Sequence, residues 1–169
     1  DAFFRTRTHA YFTRPDESGP GGKNRREVLN TAGERLYTSF GMTGIRGEAE
    51  NGFPSIRWYA MPVLRKAQRD KLSLDWQGVH TLLHLMTVVE DTTVVARGGV
   101  GALNYVRDSA VRALQLGSVY SNEGRKYIEQ MNRDFVHRNI SPGGCADLLA
   151  ASMFLSALRF RWTDSVLKL

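Results

Sequence analysis

The sequence predicts an all-α protein, and three observations indicate this fold class. Apolar residues recur every three or four positions in about six stretches after residue 26, which is the spacing of one buried helix face. Glycine, serine and proline stand between these stretches, where helices commonly begin and end. Strand patterns are scarce, because the main run of β-branched residues, 92–95, is short. We therefore expect a multi-helix bundle of about six helices.

The predicted helices are separated by residues that favour helix ends. The first is expected to end at Gly41 and the fourth at Gly117, because glycine tolerates the left-handed conformation that follows a helix. Pro62 predicts a kink or break within the second, since proline lacks a backbone N–H. Asp75 and Ser121 are predicted N-caps. The predicted ranges are 26–40, 54–70, 75–89, 102–116, 122 to about 136, and 145–160, with irregular backbone at 44–52, 91–101 and 141–144.

The apolar pattern also predicts which helix surfaces are buried. The third and sixth predicted helices are apolar on most sides, so both should lie in the core of the bundle. The fifth is amphipathic, and one face is therefore expected to point inward. The side chains predicted on that inward face are Tyr127, Ile128, Met131, Phe135 and Val136.

Composition narrows the class of protein. Apolar residues make up 42% of the 169 residues, which suffices for one core, and no run approaches the roughly 20 apolar residues of a membrane span. The net charge is +6 and arginine outnumbers lysine, which favours an anionic partner because the guanidinium fork matches phosphate oxygens. The single cysteine, Cys145, excludes a disulfide framework within the chain and predicts a reducing, cytoplasmic location.

The chain is expected to contain two regions. Residues 1–25 are predicted to be an irregular N-terminal segment or linker, because turn-forming residues crowd positions 13–22. Residues 26–169 are expected to form one helical domain. Aromatic side chains near the N-terminus indicate a partner surface, which another segment of the same protein or a second copy in a homodimer would cover.

Three segments between predicted helices combine glycine with carboxylates. The first glycine-rich segment is residues 44–54. Arg46 would bind phosphate oxygens as a fork, and Glu48 and Glu50 would hold Mg²⁺, which prefers oxygen ligands and substrate phosphates. An exposed acidic turn with a surface arginine has the same composition, so that alternative stays open.

The second glycine-rich segment is residues 90–101, and it follows a helix that is expected to be buried. A helix C-terminus would repel the charge of Asp91, so burial there requires a cationic partner. Arg97 or a metal ion would serve, and an internal salt bridge between Asp91 and Arg97 is the purely structural alternative. Arg97, Gly98 and Gly99 are also candidates for binding phosphate.

The third glycine-rich segment is residues 139–149. Gly143 and Gly144 open a predicted helix, where free N–H groups and the helix dipole attract anions. Asp147 lies in the first turn, where it would act as a metal ligand or base, or only as a favourable charge for the dipole. Cys145 is interpreted as a small buried residue rather than a nucleophile.

The sequence lacks two common motifs, one for binding nucleotides and one for binding zinc. The glycines are not followed by the Lys-Ser/Thr pair of a Walker A loop. His80 and His84 share one helix face, but the glutamate of a zinc-protease helix is lacking, so they are interpreted as core or surface histidines.

Taken in their order along the chain, the three glycine-rich segments resemble those of one family, triphosphoribosyl-dephospho-CoA synthase. The resemblance extends from about Thr31 to the end of the chain. The resemblance implies an all-α fold and the C-terminal portion of a larger helical domain, because two earlier family motifs, Lys-Pro-Gly-Leu-Val-Asp and Asn-Thr-His-Lys-Gly, do not occur here. We identify no counterpart of residues 1–25 in this family. The matching residues are 31–37 (TAGERLY), 44–50 (GIRGEAE), 91–93 (DTT), 97–99 (RGG), 139–144 (NISPGG) and 146–149 (ADLL).

The resemblance implies a reaction and its participants. ATP would transfer its triphosphoribosyl group to the ribose 2′-hydroxyl of 3′-dephospho-CoA, with Mg²⁺ on the triphosphate and with release of adenine. The product would be the prosthetic-group precursor for the acyl carrier protein of citrate lyase or malonate decarboxylase, which makes a holo-acyl-carrier-protein synthase an expected partner. The expected site residues are Asp91 and Glu48 for catalysis, Arg46, Arg97, Gly98, Gly99, Gly143 and Gly144 for phosphate, and Glu48, Glu50, Asp91 and Asp147 for Mg²⁺.

Two other classes of protein are alternatives to this enzyme. A basic helical nucleic-acid-binding domain would cluster its lysines and arginines on one exposed face. Here these residues are spread over most segments, and the glycine-rich segments would have no task. A structural interaction domain that completes the site of another chain is the second alternative.

Overall fold

The computed structural model describes the backbone of residues 32–166 and the side chains of residues 35–158. Within this part of the chain all regular secondary structure is helical, which confirms the predicted all-α class. The predicted irregular segment 1–25 and the predicted start of the first helix at Arg26 lie outside the described residues.

Seven α-helices, numbered α1 to α7, succeed one another in the described residues. A π-helical turn, Ile56–Ala60, leads directly into α3, and a 3₁₀ turn, Ser118–Tyr120, follows α5. None of the described helices combines the length and hydropathy needed to span a lipid bilayer. The helices are α1 (Ala32–Phe40), α2 (Gly44–Glu50), α3 (Met61–Arg69), α4 (Leu74–Val88), α5 (Thr92–Gln115), α6 (Asn122–His137) and α7 (Gly143–Val166).

Helix α4 is the centre of the bundle. It packs against α3, α5, α7 and the π-helical turn, and its Leu83, Leu85 and Met86 are almost fully buried. This confirms the burial predicted from its apolar pattern. A helix without a polar face is most stable when it is buried on several sides. Each apolar side chain withdrawn from water contributes about 1.5–3 kcal/mol to the free energy of folding.

Helix α7 was predicted to be buried over its whole length, and this is wrong for its second half. Cys145, Leu148 and Ser152 are fully buried, whereas Phe154 and Leu155 are exposed. In the described part of the chain the helix contacts α2, α3, α4, α5 and the π-helical turn, and these contacts leave Phe154 and Leu155 exposed.

One inward position predicted on α6 is also wrong. Met131 and Phe135 are buried and Tyr127 and Ile128 are half-buried, as expected, but Val136 is 74% exposed. Phe135 packs on Tyr105 of α5, and Val136 lies about 100° further around the helix, outside that contact.

Helix ends agree with the glycine and serine signals in most places. Gly41 and Gly117 have φ angles of 69° and 92°, the left-handed conformation predicted after α1 and α5. Ser121 caps α6 by accepting a 2.9 Å hydrogen bond from the backbone N–H of Gly124. The predicted cap Asp75 is wrong, because Ser73 caps α4 and Asp75 lies in its first turn.

Three segments predicted to be irregular are partly helical. Residues 44–50 form α2, and α5 begins at Thr92 rather than at residue 102. Gly99, with φ 72°, interrupts the helical conformation inside α5, so the glycines there kink a helix instead of forming a loop. Likewise, α7 begins at Gly143 and not at residue 145.

The predicted break near Pro62 takes the form of the π-helical turn. Proline cannot donate a hydrogen bond to the carbonyl of Trp58, and its ring would clash with that carbonyl in a regular helix. The wider turn Ile56–Ala60, immediately before α3, accommodates the ring without ending the helical path.

Gly124 in the first turn of α6 is expected to tolerate no side chain. A Cβ at this position would lie 2.0 Å from the carbonyl oxygen of Ser118, so Gly124→Ala should destabilise the protein by about 1–3 kcal/mol or more. The measurement is the urea midpoint of the full-length protein. Gly101→Ala is the matched control, because a Cβ at that exposed helical position meets nothing within 4 Å. A Gly124→Ala midpoint equal to that of the parent would contradict the packing described.

Candidate active site

Asp91 joins two helix N-termini through one buried carboxylate. Its side chain is 1% exposed. The Oδ1 atom accepts hydrogen bonds from the backbone N–H groups of Thr93 at 2.9 Å and Val94 at 3.3 Å, which start α5. The Oδ2 atom accepts one from the N–H of Cys145 at 2.9 Å, in the first turn of α7. The carboxylate is therefore stabilised by the positive ends of two helix dipoles.

This arrangement corrects the electrostatic expectation for Asp91. The residue belongs to the N-terminus of α5 and not to the C-terminus of α4, because its backbone is extended, with φ −71° and ψ 104°. Backbone amides thus supply the positive partner that Arg97 was expected to provide. Arg97 is exposed on α5, and no ion pair connects it with Asp91, although both side chains lie in the described part of the chain.

The three glycine-rich segments meet around residues 91–93. A Cβ on Gly44 would lie 2.9 Å from Oγ1 of Thr92, and one on Gly143 would lie 3.1 Å from Oγ1 of Thr93. A Cβ on Gly144 would lie 3.2 Å from Oδ1 of Asp91. These glycines therefore allow the first and third segments to pack closely on the second.

Glu48 on α2 holds the start of the next helical stretch. Its Oε1 accepts a 2.6 Å hydrogen bond from the hydroxyl of Ser55, and its Oε2 accepts a 3.1 Å bond from the backbone N–H of the same residue. Ser55 is buried and Glu48 is half-buried, so the carboxylate is fixed in orientation while part of it stays accessible.

A cleft of about 200 Å³ opens between α2 and the connection from α4 to α5. Two carboxylates, those of Glu48 and Glu90, line it. Its floor is the end of α4, directly before the buried Asp91. The remaining lining residues are Thr43, Gly44, Gly47, Asn51, Pro54, Val88 and Val89.

The other predicted metal ligands lie apart from this cleft. Glu50 is half-buried near the end of α2, and Asp147 is exposed on α7, and neither lines the cleft. The predicted first-turn position of Asp147 is wrong, because α7 begins at Gly143 and its first turn contains no acidic residue. Among the described side chains, no group of three or more histidine, cysteine or acidic residues is placed to hold a metal ion. An ion such as Mg²⁺ would therefore depend on one or two carboxylates and on substrate phosphates, which is its common mode of binding.

The predicted phosphate-binding residues lie on three helices, α2, α5 and α7. Arg46 is exposed on α2, between the cleft-lining Gly44 and Gly47. Arg97 is exposed on α5, followed by the kink at Gly99. The N-terminus of α7 begins at Gly143, packed on Thr93.

Cys145 is fully buried, as the sequence analysis predicted. Burial raises the pKa of its thiol, and the neighbouring Asp91 carboxylate raises that pKa further. The thiol therefore stays protonated at neutral pH and is a poor nucleophile.

His80 and His84 of α4 form a histidine cluster away from the cleft. His80 is buried, with Nδ1 2.8 Å from the hydroxyl of Ser118, and its ring meets those of His84 and Tyr120 edge-on. Burial lowers the pKa of His80 to about 4, and the positive charge of neighbouring groups, His84 first, contributes to this shift. The interpretation of both as core or surface histidines is confirmed.

This pKa predicts that the protein loses stability in mild acid. Unfolded histidine titrates near 6.5, so below that pH the unfolded chain binds a proton that folded His80 does not, and the free energy of unfolding falls as pH drops toward 4. The loss between about pH 7 and about pH 5 should be about 2 kcal/mol. Urea midpoints of His80→Gln should depend less on pH than those of His137→Gln, an exposed control. Identical pH dependence in the two variants would contradict this assignment.

Comparison with known proteins identifies the family to which the chain belongs. The family model of ATP:dephospho-CoA triphosphoribosyl transferase matches residues 12–165, so the chain belongs to this family. The match begins earlier than the residue Thr31 inferred from the motifs, and it includes part of the segment 1–25, for which no counterpart was expected. No solved structure matches the chain significantly.

Two curated proteins of similar sequence are relatives of this chain. The chain is 40% identical over 137 residues to 2-(5''-triphosphoribosyl)-3'-dephosphocoenzyme-A synthase of Klebsiella pneumoniae, an alignment that covers 78% of this chain and 45% of the relative. It is 39% identical over 137 residues to the probable synthase of the same description from Malonomonas rubra, covering 81% and 43%. The chain thus spans less than half the length of these relatives.

The sequence analysis missed Glu90, which lines the cleft, and Ser55, which holds the cleft-lining Glu48. The signal for Glu90 is its position beside Asp91, where two carboxylates precede a glycine-rich stretch. Ser55 was not singled out, and only its position directly after Pro54 at a helix start would have suggested an interaction with a carboxylate.

Proposed function

We propose that this chain carries part of the active site of an enzyme that transfers the triphosphoribosyl group of ATP to the ribose 2′-hydroxyl of 3′-dephospho-CoA and releases adenine. The observation that carries the proposal is the meeting of three glycine-rich segments beside a carboxylate-lined cleft, in a chain of this family. The nucleic-acid-binding alternative has no support from the family or from its relatives.

The proposed reaction determines which chemical groups the active site must supply. The acceptor hydroxyl attacks the anomeric carbon of ATP, the bond from that carbon to adenine breaks, and the hydroxyl proton goes to a base. Positive charge develops on the ribose as adenine leaves, and a nearby carboxylate stabilises it, as in glycoside hydrolysis. Adenine leaves as the neutral base after it takes up a proton.

Glu48 is the better candidate for a carboxylate that meets the substrate. It lines the cleft, and its two bonds to Ser55 hold it in place. Asp91, the other expected catalytic residue, lies beneath the cleft floor with both oxygens engaged by backbone amides. Its proposed task is therefore to position the second and third glycine-rich segments.

The triphosphate needs positive charge and oxygen ligands on its metal. Arg46, Arg97 and the N-terminus of α7 at Gly143–Gly144 are proposed to bind its oxygens. Mg²⁺ would be held by Glu90 together with the phosphates, where it would neutralise their charge, because the base role proposed for Glu48 requires a carboxylate that is free to take up a proton. Glu50 and Asp147 are exposed or peripheral to the cleft, and direct contact with the metal would require them to move.

The proposal is tested with the full-length protein that contains this chain. Incubation with ATP, Mg²⁺ and 3′-dephospho-CoA should release adenine and form triphosphoribosyl-dephospho-CoA, detected by chromatography and mass. Omitting the acceptor should stop adenine release, which separates transfer from hydrolysis. Purified protein that forms no product under these conditions would contradict the proposal.

The proposed setting is the cytoplasm, with a holo-acyl-carrier-protein synthase using the product and a homodimer as the proposed assembly.

A further inference from the structure

A second and larger cavity lies on the other side of the α7 N-terminus. This groove has a volume of about 510 Å³ and runs between α4, α6 and the start of α7. Its walls are mainly apolar, formed by Val79, Leu82, Met86, Ile128, Met131 and Phe135 among others. Small-molecule sites commonly have volumes of roughly 300–1,000 Å³ and the same apolar character.

The groove adjoins the cleft through shared elements. Met86 lines the groove, whereas Val88 and Val89, further along the same helix end, line the cleft. Ala146 lines the groove directly after Cys145, whose backbone N–H is bound by Asp91. The end of α4 therefore contributes side chains to both cavities.

We propose that this groove binds the pantetheine arm of 3′-dephospho-CoA, while the adenosine diphosphate part of that substrate reaches the cleft. The inference rests on the proposed function and assigns the acceptor to one side of the α7 N-terminus. Pantetheine is a narrow chain with a geminal dimethyl group, a thiol and amide groups. The apolar walls match its hydrocarbon part, and the polar side chains of Asn132 and Ser141 match its amides.

Burial and charge favour this occupant over the triphosphate. The groove contains no lysine or arginine among its lining residues, and its one charged side chain is the acidic Glu129, which would repel phosphate. A flexible, uncharged chain meets no such penalty. The triphosphate is therefore expected near Arg46, Arg97 and the helix start rather than in the groove.

The test blocks the groove at exposed positions, where folding is least affected. Ala146→Trp adds bulk, and Val136→Glu adds a charge at the rim, in the full-length protein. Each variant should raise the KM for 3′-dephospho-CoA by about tenfold or more and leave the KM for ATP within about twofold. Val111→Glu on α5 is the matched control, because it places the same charge at an exposed valine outside the groove.

A shortened acceptor separates this inference from the proposed function. ADP keeps the adenosine and diphosphate but lacks pantetheine, so any transfer to ADP should be equally efficient in the parent and in both groove variants. If the parent makes product but the variants leave the KM for dephospho-CoA unchanged, or raise both KM values equally, the groove assignment is wrong. A parent that makes no product at all would overturn the proposed function and this inference with it.

Discussion

Replacing Asp91 with alanine is expected to lower the free energy of unfolding by about 3 kcal/mol or more. The substitution leaves three backbone N–H groups, two of them buried, without their acceptor at the starts of α5 and α7. It also removes the negative charge that stabilises two helix dipoles. The urea midpoint of the full-length protein measures the loss. Triphosphoribosyl transfer should fall with it, because the second and third glycine-rich segments lose their link.

Two further variants sharpen this prediction. Asp91→Asn keeps the shape but turns an amide N–H₂ toward one set of backbone donors, so it should also be destabilised and slow in transfer. Glu90→Gln changes the adjacent exposed carboxylate and should unfold at the parental urea concentration. Asp91→Asn with parental stability and parental rate would refute the positioning role.

Replacing Glu48 with glutamine is expected to reduce kcat by about 10²–10⁴-fold, the usual contribution of a general base. Glutamine is neutral, so it can neither accept the hydroxyl proton nor stabilise positive charge on the ribose. Its amide oxygen can still accept a bond from Ser55, so the protein should remain folded. The measurement is the rate of adenine release at saturating ATP and dephospho-CoA, with folding checked by circular dichroism.

Ser55→Ala is the control for a merely structural effect at Glu48. It removes the 2.6 Å hydroxyl bond but leaves the carboxylate and its bond to the backbone N–H. Transfer by Ser55→Ala should therefore stay within about tenfold of the parent, in line with the loss of about 1 kcal/mol for one hydrogen bond. Equal losses in the two variants would show that Glu48 only holds the helix start, which contradicts its chemical role.

The helical fold could be predicted from the sequence because its signals are local. Helical periodicity, together with Gly41, Gly117 and Ser121, gave most elements and several of their ends. Segments 44–52 and 91–101 were misassigned because glycine normally disfavours helices. Tertiary packing overrides that preference at Gly44, where the close approach of Thr92 demands a residue without a side chain.

The site was only partly predictable, because its decisive contacts are not local. The three glycine-rich segments pack together around residues 91–93, but of these segments only the first and Glu90 of the second line the cleft. Nothing near Asp91 in the sequence reveals that its partner is the N–H of Cys145, 54 residues further along the chain. The same holds for Val136, whose exposure depends on which face of α6 meets α5.

The bonds from Asp91 to both helices also set an order of events during folding. Helices form rapidly from neighbouring residues, whereas a contact across 54 positions requires the intervening chain to close into a loop first. Helical circular dichroism should therefore recover before the capacity to release adenine when the denatured protein is diluted into buffer. The delay between the two signals would report the moment at which a collapsed, helical chain becomes a competent catalyst.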